Sequence, residues 1–263
     1  MRSPQPPQPP KSLQPPKSLQ PPQPLQPPRA PRRLARIAGL LYLVVAVLGG
    51  FAQLYSRNKV YVPGDATATA RNVVAHAGLV RAGFVADLVQ AVFFLLVAMT
   101  LFLLLKHVNR NAGRVMVIFV TIAVAITCLN LVHQLVALLV ATDPSFAGAF
   151  GARGADALVL LMLDLQHHGY LIAQIFFGLW LLPLGYLVHT SRMFPRALGV
   201  LLVAGGSGYL VDTFTRFLAP ELGATLSPFA ITPAAVAEVA LLFWLLLRGV
   251  KASQRGGQVP VAA

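Results

Sequence analysis

The chain has 263 residues, 56% hydrophobic and only 11% charged, with a mean hydropathy of +0.69. A water-soluble domain is about a quarter charged, so this composition excludes an ordinary soluble globule and selects a lipid bilayer as solvent and partner. A formal net charge of +13 would suggest nucleic acid in a soluble protein. Here most basic residues flank apolar runs and no nucleic-acid reader motif occurs, so nucleic acid is excluded as a partner and the charge is read as a membrane-orientation signal.

Residues 1–31 are low-complexity and proline-rich: PPKSLQ at 9–14 repeats at 15–20 and decays to PPQPLQ at 21–26. Proline removes a backbone donor and favours extended chain, and the segment has too little apolar area to offset its ordering entropy. A disordered tail is expected. The apolar run that follows is long enough to span, so it reads as an uncleaved anchor rather than a signal peptide.

About 20 apolar residues cross a bilayer. Six runs qualify: Leu34–Tyr55, Leu79–Leu105, Val115–Ala141, Ala157–Val188, Ala197–Leu218 and about Phe229–Leu247. Pro183 near the end of the fourth predicts a kink or stop. The lone Cys128 lies inside the third run, so no intramolecular disulfide can form. In the first long loop, Pro63-Gly64 reads as a turn, with Asp65 capping a helix that begins at about Ala66. Ala204-xxx-Gly208 and Gly169-xxx-Ala173 have the small-xxx-small spacing of closely packed membrane helices. Tyr55, Tyr186 and Trp244 fall near interfaces, as an aromatic belt requires.

Counted by loop, fifteen Lys and Arg fall on the side of the two termini and six on the other. Basic loops stay in the cytoplasm. The expected fold is therefore all-α: a polytopic membrane bundle of about six transmembrane helices in the cell membrane, both termini cytoplasmic. Residues 32–250 form the integral domain, between the tail and a disordered C-terminal segment at 251–263.

Several stretches carry a family resemblance: RIAGLLYLVVAVLG (36–49), KVYVPGDATATARNVVAH (59–76), GFVADL (83–88), LLKHVNRNAG (104–113), GYLIAQIFFGLWLLPLGYLVHTS (169–191) and FPRALGVLLVAGGSGYLVDTF (194–214). Together they resemble a bacterial membrane-protein family catalogued as domain of unknown function 4386. The resemblance runs from about Leu34 to Val250. It implies one integral membrane domain and no particular activity or cofactor. The pair His167-His168 stands where the family pattern has a single histidine.

Polar groups inside a span need partners and are functional candidates. Asp87 and Gln90 lie in the second span, Asn130, His133 and Gln134 in the third, and Asp164, Gln166, His167 and His168 in the fourth. Asp212 and Arg216 are in the fifth and Glu238 in the sixth. With the orientation above, all fall in the outer half of the membrane. Residues three and four apart share a helix face, which groups Asp164 with His167 and His168, Asn130 with His133 and Gln134, and Asp212 with Arg216. The last pair reads as a structural ion pair. Asn130 and Gln134 read as interhelical hydrogen-bonding groups. The set Asp87, Gln90, Asn130, His133, Asp164, His167, His168, Asp212 and Glu238 makes up the candidates for a polar pocket.

Three functions compete. The first is binding or transport of a small ligand or ion through that pocket. The second is a structural or regulatory membrane subunit without chemistry, a homo-oligomer being compatible with it. The third is a metal-dependent intramembrane enzyme using His133, His167 and Asp164 as zinc ligands. No His-Glu-x-x-His or nucleophile-serine motif supports the third, so an enzyme is the weakest reading. Separate helix contacts for the polar residues favour the second reading, and a cavity lined by carboxylates favours the first.

Overall fold

The computed structural model describes residues 29–248. Residues 1–28 of the proline-rich tail and the segment 251–263, both expected to be disordered, lie outside the described residues, whereas Arg29 to Pro31, expected to belong to that tail, are helical. The described residues form helices and short connections, with no strand. Six helical stretches are long and apolar enough to cross a membrane.

The first span is α1 (Arg29–Gly50), a π turn (Phe51–Ser56) and α2 (Arg57–Val60) in continuous helix. Its buried stripe follows three-and-four spacing through Ala35, Ala38, Tyr42, Val45, Gly49, Ala52, Ser56 and Val60, the pattern of one helix face. The short α3 (Ala66–Ala75) begins where expected, because the Asp65 side chain accepts from the Ala68 amide at 2.8 Å. α4 (Ala77–Leu105) and α5 (Arg110–Thr142) form the next two spans. Asn109 caps α5 by accepting from the amides of Asn111 and Ala112.

Between α5 and the fourth span the chain forms a further short helix, α6 (Pro144–Phe150), which hydropathy alone does not reveal. Its local signals are an Asp143 cap and proline at the first position. The Asp143 carboxyl is held below the usual carboxylate range by its bonds to Ser145. Gly151, at φ +72°, joins α6 to α7 in a backbone region that favours glycine.

α7 (Ala152–Ser191), α8 (Arg196–Leu218) and α9 (Pro220–Phe243, ending in a π turn, Trp244–Arg248) complete the bundle. Two expectations change here. Pro183 does not stop α7, which runs eight residues beyond it. The sixth span begins at Pro220 rather than near Phe229 and carries Pro228 and Pro233 inside it. Neighbouring helices permit such prolines in a membrane span.

The helices contact in the order α1, α4, α5, α7, α8, α9, and the ring closes where the start of α1 meets the end of α9. α7 is the central element: 56% of its most apolar window is buried, against 28–39% in the other five spans. At the closed end an apolar core forms around Trp180, Leu101, Met116, Leu184 and Leu241. A smaller apolar cluster around Val73, Val80, Ala137 and Val159 seals the other end. The polar side chains lie between the two.

Bare backbone sets the close approaches of α8, but not through the predicted pair, since Ala204 is exposed. One face sets Gly199 and Gly206 against Gly185 and Gly178 of α7, and another sets Gly205 and Gly208 against Ala234 and Ala230 of α9. A methyl group at Gly208 would lie 2.0 Å from the Ala230 carbonyl oxygen, whereas one at Gly78 meets nothing within 4 Å. Gly208→Ala should therefore destabilise the protein by about 1–3 kcal/mol through overpacking. Gly78→Ala should be neutral or stabilise by up to about 1 kcal/mol. Thermal unfolding in detergent checks both, and equal melting temperatures would refute the packing assignment.

Candidate functional site

The polar residues resolve into four groups. The first binds α5 to α7: Asn130 Nδ2 donates to the Gln166 carbonyl at 2.7 Å, Gln166 Nε2 to Gln134 Oε1 at 3.2 Å, and Gln134 Nε2 to the Val80 carbonyl of α4 at 3.2 Å. Gly169 makes room, since a methyl group there would lie 2.1 Å from Asn130 Oδ1. His133 is only partly buried, its Nδ1 at 3.1 Å from the Asn130 carbonyl oxygen. These groups satisfy one another inside the helix contact.

The second group clamps three helices. Both oxygens of the buried Asp212 carboxylate are engaged, one by Gln174 Nε2 of α7 at 2.7 Å and one by Arg216 Nε at 3.1 Å. Arg216 Nη2 also donates to Ser227 Oγ of α9 at 2.6 Å. The expected pairing of Asp212 with Arg216 is present.

The third group lies in the N-terminal half of α7, near the loop after α2. Tyr61 donates its hydroxyl proton to Asp164 Oδ1 at 2.5 Å, and its ring stacks on His167 with centroids 6.3 Å apart. His168 Nδ1 lies 2.8 Å from the Asp164 carbonyl oxygen, and the residue is otherwise exposed. Asp164 is thus engaged by a loop tyrosine. His133, His167 and Asp164 do not assemble as a ligand set: among the described residues no three His, Cys, Asp or Glu are placed to hold a metal ion.

The fourth group surrounds a cavity. Tyr42 of α1 donates to Glu238 Oε2 of α9 at 3.0 Å, and Tyr209 of α8 stands beside the same carboxylate. Glu238 is the nineteenth of the 29 residues in its span. The early start of α9 thus places it deeper than the outer half to which sequence assigned it, at the edge of the apolar core. An open cavity of about 350 Å³ between α1 and α9 reaches it past Gly49, Gly50 and Ala235. A smaller chamber of about 80 Å³ continues inward to Phe94, Phe177 and Trp180.

Gln90 and Tyr170 line both spaces and a water-sized void that reaches Asp87 and Thr127. The Gln90 carboxamide fits against the bare face of Gly49. Gln53 Nε2 donates to Asp87 Oδ1 at 3.0 Å, and Arg57 donates to Gln53 Oε1 while lying 5.8 Å from the Tyr170 ring centroid. Gln53 belongs to the π turn, a feature often found at functional sites.

Of the sequence candidates, the structure therefore brings Glu238 and Gln90 to one cavity with Asp87 adjoining it. It leaves Asn130, His133, Asp164, His167, His168 and Asp212 in helix or loop contacts. Sequence reasoning passed over Tyr42, Tyr170, Tyr209, Gln53 and Arg57. The three tyrosines carried a usable signal: they sit mid-span, away from an interfacial belt, where a hydroxyl needs a polar partner.

These features define a multi-pass helical membrane protein with a polar cavity inside the bundle. The chain belongs to the family described as Domain of unknown function (DUF4386), which it matches over residues 37–249. It is 31% identical over 160 residues to an uncharacterized protein of Archaeoglobus fulgidus, the match covering 60% of this chain and 78% of that one. No solved structure matches it.

Burial, followed by its bond to Asp164, pushes the Tyr61 hydroxyl pKa up to about 12 from 10.0. Because the folded value is the higher one, this group leaves folding stability unchanged below about pH 10 and lowers it as the pH rises from there toward 12. The ultraviolet titration difference between wild type and Tyr61→Phe should place this ionisation near 12. A midpoint at the value of free tyrosine would show that the loop is not docked on α7.

Proposed function

We propose that the protein binds or transports a small ligand or ion through the cavity around Glu238. One observation carries this reading: a mid-span carboxylate opens on a cavity of about 350 Å³ and, among the described residues, has no basic partner. An uncompensated carboxylate is costly in hydrocarbon, and a volume above about 300 Å³ falls in the range of small-molecule sites. By contrast, both oxygens of Asp212 are occupied by protein donors.

A second reading, a structural or regulatory subunit without chemistry, draws support from the Asn130–Gln166–Gln134 chain and the Asp212 clamp. Those groups need no ligand to be satisfied. It gives no account of the open cavity beside Glu238.

The same proposal places residues 32–250 in the cell membrane with both termini in the cytoplasm, on the basic-residue asymmetry of fifteen to six. In a Cys128→Ala background, Lys59→Cys should then be labelled by an impermeant maleimide on intact cells and Lys106→Cys should not. The reverse pattern would invert the topology.

The functional reading is tested by screening small molecules for thermal stabilisation of the full-length protein in detergent. A compound binding the native state at 100 times its Kd stabilises by about 2.7 kcal/mol. Glu238→Gln should remove the stabilisation given by compounds that engage its carboxylate while leaving the unliganded melting temperature within a few degrees. If every stabilising compound acted equally on the variant, Glu238 would not belong to the site.

A further inference from the structure

We infer that the Glu238 cavity takes an amphipathic organic cation, an alkylammonium-type head with an apolar tail, admitted sideways from the lipid between α1 and α9; this deepens, and rests on, the reading of that cavity as the binding site.

The head group follows from the lining. Among the described residues, Glu238 is the one carboxylic acid on the walls of the two connected spaces, and no Lys, Arg or His lines them. The inner walls are aromatic: Tyr42, Tyr170, Tyr209, Phe94, Phe177 and Trp180. Trp180 anchors this wall, with Phe94 edge-on at 5.1 Å and Tyr42 at 6.3 Å between ring centroids. A carboxylate supplies the counter-charge for a cation, and aromatic faces attract quaternary and alkyl ammonium groups when water is excluded.

A bare metal ion matches this wall poorly. Calcium and magnesium take six or more oxygen ligands, whereas this lining offers one carboxylate, with phenol and carboxamide oxygens for the rest. An anion would face Glu238 with no basic residue, among those described, on the walls to hold it.

The tail and the route follow from the mouth. The ring of helices closes between α1 and α9 only near one end, where a methyl group on Gly39 would touch Leu246. From Glu238 toward its start, α9 leans instead on α8, and the space left beside α1 is the cavity. Ala46, Leu54, Ala235 and Val239 line it and are also exposed on the outer surface of the spans. In a bilayer that surface faces acyl chains, so the opening is lateral. Its rim is small near Glu238 (Ala46 and Ala235) and apolar further out (Leu54 and Val239), as an alkyl tail trailing into lipid requires.

The protein provides its own reporter. Of its two tryptophans, Trp180 lines the chamber, and Trp244 can be replaced by phenylalanine because its indole nitrogen has no partner among the described residues. Full-length Trp244→Phe protein in dodecyl maltoside is titrated with octyltrimethylammonium, octanol and octanoate, following Trp180 fluorescence. The cation should bind saturably and about tenfold or more tighter than octanol, and octanoate more weakly still. Glu238→Gln should abolish the preference for the cation and leave octanol unchanged. Ala235→Phe, on the exposed rim, should slow or block binding without lowering the melting temperature.

Octanol or octanoate binding as tightly as the cation overturns the ligand class but leaves the cavity as a binding site, and this comparison needs no variant to fold. No response of Trp180 to any of the three compounds overturns the site itself. Unaltered binding in Ala235→Phe overturns the lateral route.

Discussion

Hydrocarbon offers no hydrogen bonds, so every polar group placed within it has to be satisfied by the protein. That constraint explains why the polar side chains occur in connected sets rather than singly. The carboxamide of Gln166 can bridge α7 to α5 because Gln134 receives it and in turn reaches the Val80 carbonyl of α4. Asp212 is tolerable because α7 and α8 each supply a donor to it. The same rule makes Glu238 unusual. Its protein partners are tyrosines, with no cation beside it among the described residues, and the remaining approach is an open cavity.

Close packing and the cavity have a common origin in α8. Glycines on two faces let it approach α7 on one side and α9 on the other, close enough that added methyl groups would strike backbone. An α9 drawn so tightly onto α8 cannot also cover α1 along its length. It meets α1 at the end near Gly39 and diverges beyond Glu238. Gly50, where an added methyl group would meet nothing within 4 Å, then leaves the α1 wall bare, which widens the gap. The opening is therefore a consequence of where the small residues lie, and filling it would require either a longer side chain on α1 or a looser α8–α9 contact.

The spans were legible because twenty-residue apolar runs have few alternatives. The α3 cap was legible because Asp65 follows a Pro-Gly turn. Helix starts were less so: Pro220 to Pro228 reads as loop from its prolines, yet it is helical against α8, and this lengthens the span ahead of Glu238. The grouping of polar residues by helix face found Asp212 with Arg216, and Asn130 with Gln134. It could not find contacts between helices far apart in sequence, such as Tyr61 with Asp164 or Tyr42 with Glu238, which are separated by 103 and 196 positions. α4 and α5 are apolar nearly all round, so periodicity gives no inward face, and only their few polar residues mark it.

Glu238 and Asp87 illustrate why a carboxylate in a membrane span does not by itself announce a ligand site. Asp87 is buried, accepts from Gln53 and has Arg57 one carboxamide away, so its charge is answered within the protein. Glu238 lies one wall of Gln90 and Tyr170 away from it, with tyrosine donors but, among the described residues, no cation on the cavity walls. If both served only to hold helices together, an answering cation would be expected near each. The asymmetry between two nearby carboxylates is therefore one of surroundings: Asp87 is enclosed by protein partners, and Glu238 faces open space.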